Sequence, residues 1–320
     1  MHDDALDLVI IGAAAAGCAA AVYAARRNLN FVVISKDIGG EVALSGEVEN
    51  WPGTIHTTGY ELSQDFYKHT QAYNVKVNNG EEVTGMKQDG KFHIISTKTN
   101  AGEEKTYTTK SIIIATGIHP RHLGIPGESE LKGRGVTYCT VCDGPLFRDK
   151  TTATIGAGSS ALESALMMSG IAKKVYLITK YPNTPEKNGG FPPGEHILIE
   201  KVKEKDNIEI LYTAMTTKIE GDGKVETLTY NDQLSGDEKT ISVDGVMVHI
   251  GMNPNSKFVE CSSKNKQGEI EVDILCRTDC AGVFAAGDVT NVPYNQIAIA
   301  AGQGVTAALS SIDYLNKWSA

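Results

Sequence analysis

The 320-residue sequence lacks any apolar run of about 18 residues, the length that a membrane-spanning helix requires. It also lacks an excess of basic side chains, because 39 acidic residues outnumber 30 basic ones and give a formal charge of -9. This balance argues against nucleic acid or an anionic membrane as the main partner. The N-terminus is acidic where a secretory signal would be basic, so we expect a cytoplasmic protein.

Cysteine is scarce, and its six residues are too scattered for a secreted fold stapled by disulfides. One close pair stands out, Cys139-Thr-Val-Cys142, which can form a small redox-active disulfide ring. A structural zinc would need a second ligand pair, which the sequence does not offer, so we predict a redox pair and no metal site. The other cysteines are expected to be structural thiols: Cys18, Cys261, Cys276 and Cys280.

Asp143 directly follows the second cysteine. Its carboxyl group is placed to exchange the proton that thiolate chemistry requires. A carboxylate before Gly144-Pro145 is equally typical of a helix cap or a turn, and the residues alone leave both interpretations open.

Two segments of the chain have the pattern strand, glycine turn, helix, strand, which is typical of a βαβ unit with parallel strands. The first unit is expected to comprise residues 6–11, 13–27 and 31–34, and the second 152–155, 159–169 and 174–178. Short antiparallel strands are predicted within 75–97 and around 208–212, 225–230 and 243–250. A last strand at 283–286 and a helix at 297–315 complete the pattern.

The repeated plan predicts an α/β fold of two Rossmann-like dinucleotide-binding domains, one inserted in the other. Prolines and glycines after Gly117 mark the first crossing between them. We therefore expect an FAD-binding domain of residues 1–117 and 251–320. The inserted domain, 118–250, is expected to bind NAD(P) and to carry the cysteine pair.

Each βαβ unit begins with a turn that resembles the dinucleotide fingerprint, in which glycines let a helix N-terminus face a pyrophosphate. The first turn has Gly12 and Gly17 but an alanine at the middle position. The second has Gly156 and Gly158, with Ala161 as a tolerated variant of the third glycine. Two such turns in one chain indicate two dinucleotides, and a flavin with a nicotinamide is the usual combination.

The whole chain resembles the low-molecular-weight thioredoxin reductases. The motifs that carry the resemblance occur in family order: the Gly12 turn, Gly39-Gly40-Glu41, Glu49-Asn-Trp-Pro-Gly53, Ala115-Thr-Gly117, Lys132-Gly-Arg-Gly135, Cys139-Thr-Val-Cys142-Asp143, Gly251-Met-Asn-Pro-Asn255 and Gly282-Val-Phe-Ala-Ala-Gly287-Asp288. Other segments, including 291–297, are most similar to the flavoprotein component of alkyl hydroperoxide reductases, which shares this module. That component carries an additional thioredoxin-like region at its N-terminus, so a protein relay is expected to be a separate molecule here.

The resemblance implies a set of FAD-binding residues. They are Gly12, Gly17, Gly40, Glu41, Asn50, Thr116, Gly117, Gly287, Asp288, Gln296 and Ile297. It places Asp288 on the ribityl chain and Gln296 near the flavin ring. A carboxylate at a strand end suits the first role, because it accepts hydrogen bonds from hydroxyl groups.

The resemblance also implies the order of electron transfer. Hydride from a nicotinamide reduces the flavin, and the flavin reduces the disulfide. Cys142 faces the flavin, Cys139 attacks the partner disulfide and Asp143 donates a proton. In the family the inserted domain rotates between these two steps, and hinges are expected near 117–120 and 247–251.

The sequence departs from the NADPH-dependent members of the family after the second strand of the inserted domain. Those members carry a His-Arg-Arg run, whereas this chain has Thr179-Lys180-Tyr181 followed by an insertion at 182–194. Three electron donors fit: NADPH bound through Lys180 and Lys187, NADH, or a reduced ferredoxin. The glycine turn at 156 favours NAD(P)H. The expected partner is a thioredoxin-like protein, either a thioredoxin or a carrier of a peroxiredoxin system, and the family implies a homodimer.

Overall fold

The computed structural model describes residues 4–318. Their strands and helices in the first part of the chain are β1 Leu6–Ala13, α1 Ala15–Arg26, β2 Phe31–Ile38, α2 Gly40–Ala43, β3 Glu47–Val48, β4 Thr57–Thr58, α3 Gly59–Ala72, β5 Val77–Asn79, β6 Glu81–Asp89, β7 Phe92–Thr99, β8 Glu104–Ile114 and β9 Ile118–Pro120. No helix within these described residues is long and apolar enough to cross a membrane.

The remaining elements continue in chain order. They are β10 Val136–Thr137, α4 Thr140–Asp143, β11 Thr151–Ile155, α5 Ser159–Ser169, β12 Lys174–Ile178, α6 His196–Lys203, β13 Ile208–Leu211, β14 Ala214–Glu220, β15 Thr227–Asp232, β16 Glu238–Ser242, β17 Gly245–Val248, β18 Met252–Pro254, β19 Val283–Ala285 and α7 Ile297–Asn316. Two 3₁₀ helices span Gly144–Phe147 and Pro185–Gly190.

The chain divides into two compact units. Unit 1 comprises Met1–His119 and Met252–Ala320, and unit 2 comprises Pro120–Gly251. The first domain boundary proposed from the sequence lies two residues before this division, and the second lies one residue before it. Both crossings of the chain therefore occur next to the paired strands β9 and β18.

Unit 1 is built on a sheet with the order β5-β2-β1-β8-β7-β6, and β19 pairs with β8. The strands β5, β2, β1, β8 and β19 are parallel, whereas β6 and β7 pair antiparallel and extend the sheet beyond β8. The centre is apolar on both faces: Ile112, Ile113 and Ile114 of β8 are completely buried. Such continuous apolar strands are typical of a parallel sheet covered on both sides.

Unit 2 contains a parallel sheet with the order β10-β17-β11-β12-β13 and a separate antiparallel sheet of β14, β15 and β16. The α/β fold class predicted from the sequence is therefore confirmed, with one parallel sheet in each unit. The carboxyl ends of parallel strands meet at one edge, and that edge is where open α/β sheets bind their ligands.

Strand direction was predicted incorrectly at three places. The segments that form β5, β13 and β17 were expected to be antiparallel, but they pair in parallel with β2, β12 and β11. Turn residues at their ends suggested hairpins, yet each strand instead joins the edge or centre of a βαβ sheet. In β17 all four residues are buried, which fits a central parallel strand better than an alternating antiparallel one.

Candidate active site and cofactor-binding residues

Cys139 and Cys142 form a disulfide in unit 2, with their Cα atoms 5.3 Å apart. Cys139 is the N-cap of the short helix α4, and its sulfur accepts a hydrogen bond of 3.3 Å from the backbone N–H of Cys142. A helix N-terminus and a donated hydrogen bond both stabilise negative charge on sulfur. Once the disulfide is reduced, this geometry favours Cys139 as the thiolate.

Asp143 is the last residue of α4, and its carboxylate accepts a hydrogen bond from the Thr137 hydroxyl. The same Thr137 oxygen accepts the backbone N–H of Cys139 at 3.1 Å. Burial raises the pKa of the Asp143 carboxyl above its usual range, and the hydrogen bond from Thr137 partly opposes that rise. A carboxyl group that retains its proton to higher pH is suited to be a proton donor beside the cysteines.

A buried polar chain leads away from the redox helix. The hydroxyl of Thr140, which lies between the two cysteines, contacts Ser164 Oγ of α5 at 2.6 Å and His249 Nε2 at 2.8 Å. Burial lowers the pKa of His249 to about 4, so the imidazole is neutral near pH 7. Neutral His249 can donate to or accept from Thr140, depending on its tautomer.

The second glycine turn lies between β11 and α5, as predicted. Gly156 has a positive φ, and a Cβ at this position would overlap the backbone carbonyl of His249 and crowd Ala161. Ala161 is completely buried, so the helix packs directly on the turn. Gly158 is the N-cap of α5, so the turn leads directly into a helix N-terminus, the feature that binds pyrophosphate in such folds.

Two lysines lie beside the aromatic ring of Tyr181 after β12. The ammonium groups of Lys180 and Lys187 are 5.4 Å and 5.9 Å from its centroid. Each distance is within the range of a cation–π contact. The lysines thus form a small basic cluster at the carboxyl end of the strand where family members carry arginines.

The segment 182–194 is an ordered excursion rather than an open loop. Phe191 within it is completely buried, and Thr179 donates a 2.7 Å hydrogen bond to the carbonyl of Gly190. Its end approaches the start of α5, because the N–H of Glu195 donates to Ser159 Oγ at 3.1 Å. The excursion therefore borders the place where a pyrophosphate would meet this helix.

In unit 1 the first glycine turn starts within the carboxyl end of β1 and leads into α1. Gly12 has a positive φ, and a Cβ there would overlap the carbonyl of Ala115. A Cβ at Gly17 would in turn overlap the carbonyl of Gly12. The two glycines thus allow β1, β8 and α1 to approach closely, with the N-terminus of α1 at the carboxyl edge of the sheet.

Gly40 and Glu41 open the short helix α2 after β2. The N–H of Gly40 donates to the Asp37 carboxylate at 3.0 Å. Glu41 contacts His119 Nδ1 at 2.6 Å, and this hydrogen bond raises the pKa of His119. Glu41 is therefore placed at the carboxyl end of β2, where a ribose hydroxyl would be bound in a dinucleotide fold.

Two predicted flavin residues that are far apart in sequence meet in the structure. Asn50 donates through Nδ2 to Gln296 Oε1 at 3.1 Å. Gln296 is the N-cap of α7, and Ile297 is its first residue. This hydrogen bond joins the loop after β3 to the start of α7.

Thr116 and Gly117 follow β8 and are fixed by Asn255. The Thr116 hydroxyl donates to the carbonyl of Asn255 at 2.7 Å, and Asn255 Nδ2 donates to the carbonyl of Thr116 at 2.8 Å. The N–H of Asn255 donates to the carbonyl of Gly117 at 3.0 Å. These bonds tie the two ends of unit 1 together beside the crossings.

Gly287 and Asp288 follow β19, and the N–H of Gly287 donates to Gln303 Oε1 of α7 at 2.9 Å. Burial raises the pKa of Asp288 to about 6, and a hydrogen bond from Asn295 partly opposes this rise. A carboxylate that is largely withdrawn from water, as Asp288 is, needs hydrogen-bond donors. The hydroxyl groups of a ribityl chain would supply them, so these residues fit a flavin dinucleotide.

The remaining cysteines divide into two groups. Cys18 and Cys276 are free and buried, as expected of structural thiols. The expectation was wrong for Cys261 and Cys280, which form a second disulfide with Cα atoms 5.8 Å apart. Their separation of 19 residues has no motif, and only the folding of the segment between them brings the two sulfurs together.

Sequence reasoning missed several residues that position the site. Thr137, Thr140, Ser164 and His249 surround the redox helix, and Gln303 holds Gly287. Thr140 lies inside the Cys139-Thr-Val-Cys142 motif, whereas Ser164, His249 and Gln303 belong to no short motif. Thr137 and Thr140 flank Cys139, and that proximity was the one signal available for two of them.

Residues 6–304 match the sequence profile of the family described as pyridine nucleotide-disulphide oxidoreductase. The chain belongs to this family. The matched residues include both glycine turns and the cysteine pair. Family membership explains why each unit has a parallel sheet with a glycine turn, and why the inserted unit contains a Cys-x-x-Cys disulfide.

Relatives of this oxidoreductase share nearly its whole length. It is 38% identical over 317 residues, 98% of the chain, to an alkyl hydroperoxide reductase component of Escherichia coli, of which it covers 58%. It is 34% identical over 310 residues, 97% of the chain, to an NADH dehydrogenase of Bacillus subtilis, of which it also covers 58%. The chain thus spans about three-fifths of the length of these curated relatives.

Among solved structures, thioredoxin reductase from Streptococcus pyogenes has a TM-score of 0.88 and 32% identity. The match covers 98% of this chain and 99% of that one. The resemblance predicted from sequence motifs is therefore confirmed for both groups of proteins.

Proposed function

We propose that this oxidoreductase transfers electrons from a reduced nicotinamide nucleotide, through FAD and the Cys139–Cys142 disulfide, to a disulfide in a thioredoxin-like protein. The observation that carries the proposal is the disulfide at the N-terminus of α4, with Asp143 beside it. When bound, FAD supplies two-electron chemistry that links hydride transfer to thiol–disulfide exchange. The residues of the two units supply binding, orientation and proton transfer.

The flavin would be held by the carboxyl edge of the unit 1 sheet. The N-terminus of α1 after Gly12 would meet the pyrophosphate, and Asp288 would accept hydrogen bonds from ribityl hydroxyls. Asn50 and Gln296 are already joined by a hydrogen bond, so they would present a preformed polar edge to the flavin ring. Helix α1 begins with Ala15, Ala16 and Gly17, so its first three positions carry no side chain larger than methyl.

After reduction, Cys139 is the residue proposed to attack the partner. Its thiolate attacks one sulfur of the partner disulfide, which breaks that bond and forms a mixed disulfide with Cys139. Cys142 then attacks the Cys139 sulfur and releases the second partner thiolate. Asp143 gives a proton to a departing thiolate, and Thr137 holds the Asp143 carboxyl in place.

Trapping separates the two cysteine roles. With Cys142→Ser, the mixed disulfide between Cys139 and the partner should persist and appear on a non-reducing gel. With Cys139→Ser it should not form. Equal trapping by both variants would contradict the assigned order, and wild-type turnover by the double variant would overturn the function.

The partner is proposed to be a thioredoxin or a thioredoxin-like carrier of a peroxide-reducing system. The first possibility is supported by the likeness to thioredoxin reductase, and the second by the likeness to the alkyl hydroperoxide reductase component. Comparing turnover with a thioredoxin and with an isolated thioredoxin-like carrier distinguishes them. We further propose a cytoplasmic homodimer, and light scattering of the purified protein tests the number of chains it contains.

A second candidate donor is a reduced ferredoxin. The observation that favours it is the hydrogen bond between Glu195 and Ser159, which brings the 182–194 excursion to the start of α5. The excursion thus borders the place that the pyrophosphate of a nicotinamide nucleotide would occupy. An anaerobic titration decides between donors. We expect NADPH or NADH to bleach the flavin absorbance, and bleaching by reduced ferredoxin alone would replace the nicotinamide in the proposal.

A further inference from the structure

The second disulfide, Cys261–Cys280, lies in unit 1 and encloses a segment that contacts the strand leading to Asp288. The two sulfurs are differently accessible, because Cys261 is exposed and Cys280 is buried with 7% exposure. Unlike the pair at 139 and 142, these cysteines are 19 residues apart. The bond therefore closes a large loop rather than a tight turn.

The C-terminal arm of the enclosed segment pairs with β19. The N–H of Ala285 donates to the carbonyl of Cys276 at 3.1 Å, and the N–H of Thr278 donates to the carbonyl of Val283 at 3.2 Å. These bonds fix the backbone immediately before Gly287.

The middle of the same segment holds the chain after Asp288. The N–H of Ile270 donates to the carbonyl of Val289 at 2.9 Å, and the N–H of Asn291 donates to the carbonyl of Ile270 at 3.0 Å. Ile270 is completely buried. The segment between the two cysteines thus holds the backbone on both sides of Gly287-Asp288.

Apart from the disulfide, a polar contact joins the two ends of the segment. The N–H and the hydroxyl of Ser263 both donate to the Asp279 carboxylate, at 3.0 Å and 2.5 Å, and both residues are exposed. An exposed contact of this kind adds little stability. A covalent bond beside it would prevent local opening of the segment, since it limits the separation of the two ends in every conformation.

We propose that Cys261–Cys280 is a second disulfide site that fastens the Gly287-Asp288 segment and slows the release of FAD, and that it takes no part in electron transfer. The role in flavin retention rests on the proposed function. The disulfide itself does not.

The bond can form by exchange with an external disulfide, of a protein or of a small thiol. The exposed Cys261 thiolate attacks one sulfur of that disulfide and expels a thiolate; Cys280 then attacks the Cys261 sulfur and expels the second. Two protein thiols lose two electrons and two protons, and the external disulfide becomes two thiols. In reverse, a reductant reaching Cys261 must expel Cys280 as a buried thiolate, which burial disfavours, so reduction is slow.

A peptide map tests the bond directly. The protein is denatured without reductant, alkylated with iodoacetamide and digested with trypsin. We expect peptide 258–264 joined to peptide 278–317, while peptide 267–277, which contains Cys276, carries the alkyl label. Alkylation of both Cys261 and Cys280 would overturn the proposal.

Reduction of the native holoenzyme tests the separation from electron transfer. During incubation with dithiothreitol, we expect label to enter Cys139 and Cys142 at least about tenfold faster than Cys261 and Cys280. The same order is expected with NADPH or NADH as the electron source. Equal reduction of both pairs by the nucleotide would show that Cys261–Cys280 takes part in electron transfer, and this would overturn the claim that it does not.

Variants test the fastening role. Cys261→Ala combined with Cys280→Ala should accelerate flavin release, followed by the rise in free-flavin fluorescence, and lower the thermal midpoint by roughly 5 °C. Cys276→Ala is the matched control, because it removes a buried free thiol from the same segment. Flavin release at the wild-type rate from the double variant would overturn the fastening role. If the wild-type protein never binds flavin, the proposed function is contradicted as well. The peptide map would still decide whether the disulfide exists.

Discussion

His249 Nε2 lies 2.8 Å from the hydroxyl of Thr140, and this hydrogen bond joins the residue after β17 to the redox helix α4. The backbone carbonyl of His249 also packs against Gly156 of the second glycine turn. One residue therefore contacts both the cysteine helix and the nucleotide turn of unit 2. The contact suggests that the position of the redox helix depends on His249.

We predict that His249→Leu slows reduction of the partner disulfide about tenfold, because a buried Thr140 hydroxyl loses a hydrogen-bond partner. His249→Gln places an amide near the same position and should restore most of the rate. The reduction potential of the Cys139–Cys142 pair, measured against a glutathione buffer, should shift in His249→Leu and return in His249→Gln. Identical potentials in both variants and wild type would assign His249 a packing role alone.

Asp143→Asn should lower the rate of thiol–disulfide exchange about a hundredfold, because general acid catalysis typically contributes that much or more. The pKa of Asp143 is raised, so the carboxyl is protonated at low pH and loses its proton as pH rises through the raised value. The wild-type rate should therefore fall as pH rises through this pKa, which gives a descending limb in the pH–rate profile. Asp143→Asn should lack the limb, and a limb that persists in the variant would assign it to another group.

Thr137 offers a matched pair of variants for the same carboxyl. The hydroxyl of Thr137 lowers the Asp143 pKa by donating to the ionised form. Thr137→Val should move the pH limb to higher pH, whereas Thr137→Ser should leave it in place. Rate measurements with a thioredoxin disulfide over a pH series distinguish these outcomes.

The sequence predicted elements and motifs well where one local pattern determines one structure. The helix of residues 159–169 and the strand of residues 174–178 have the predicted bounds, since glycine turns and apolar runs mark both ends. The direction of β17 was predicted incorrectly because turn residues near its ends suggested a hairpin, although its four buried residues fit a central parallel strand. Direction depends on which strands are neighbours, and that is a property of the whole sheet.

Contacts within the site were also predictable only where a single local motif contains both partners. Cys139, Cys142 and Asp143 form a contiguous motif, so their proximity was predictable. The Asn50–Gln296 bond spans most of the chain, and the resemblance to a family placed both residues at the flavin without predicting their contact. The Cys261–Cys280 bond was missed, because a 19-residue separation defines no motif and the intervening strand pairings decide it.

Lys180 and Lys187 are predicted to select NADPH over NADH. Both ammonium groups lie beside the Tyr181 ring, where they can meet a 2′-phosphate. Lys180→Ala combined with Lys187→Ala should raise the KM for NADPH about tenfold or more and that for NADH less than about twofold, since each charged hydrogen bond contributes about 1.5–3 kcal/mol. Lys201→Ala, an exposed lysine on α6, controls for the loss of charge. Equal effects on both nucleotides would place the lysines outside the phosphate site.

Asp288 predicts how FAD affinity depends on pH. Its pKa is raised to about 6 without a ligand, and an ionised carboxylate accepts hydrogen bonds from hydroxyl groups more strongly than a protonated one. Binding that favours the ionised form lowers this pKa, so affinity should rise with pH below about 6, by at most tenfold per pH unit, and then level off. Asp288→Asn keeps the shape of the side chain but cannot ionise, and it should bind FAD more weakly with a flat profile over the same range. Fluorescence titration of the flavin-depleted protein between pH 5 and 8 measures both curves; a flat wild-type curve would mean that the Asp288 carboxylate is not the group that accepts the flavin's hydroxyl hydrogen bonds.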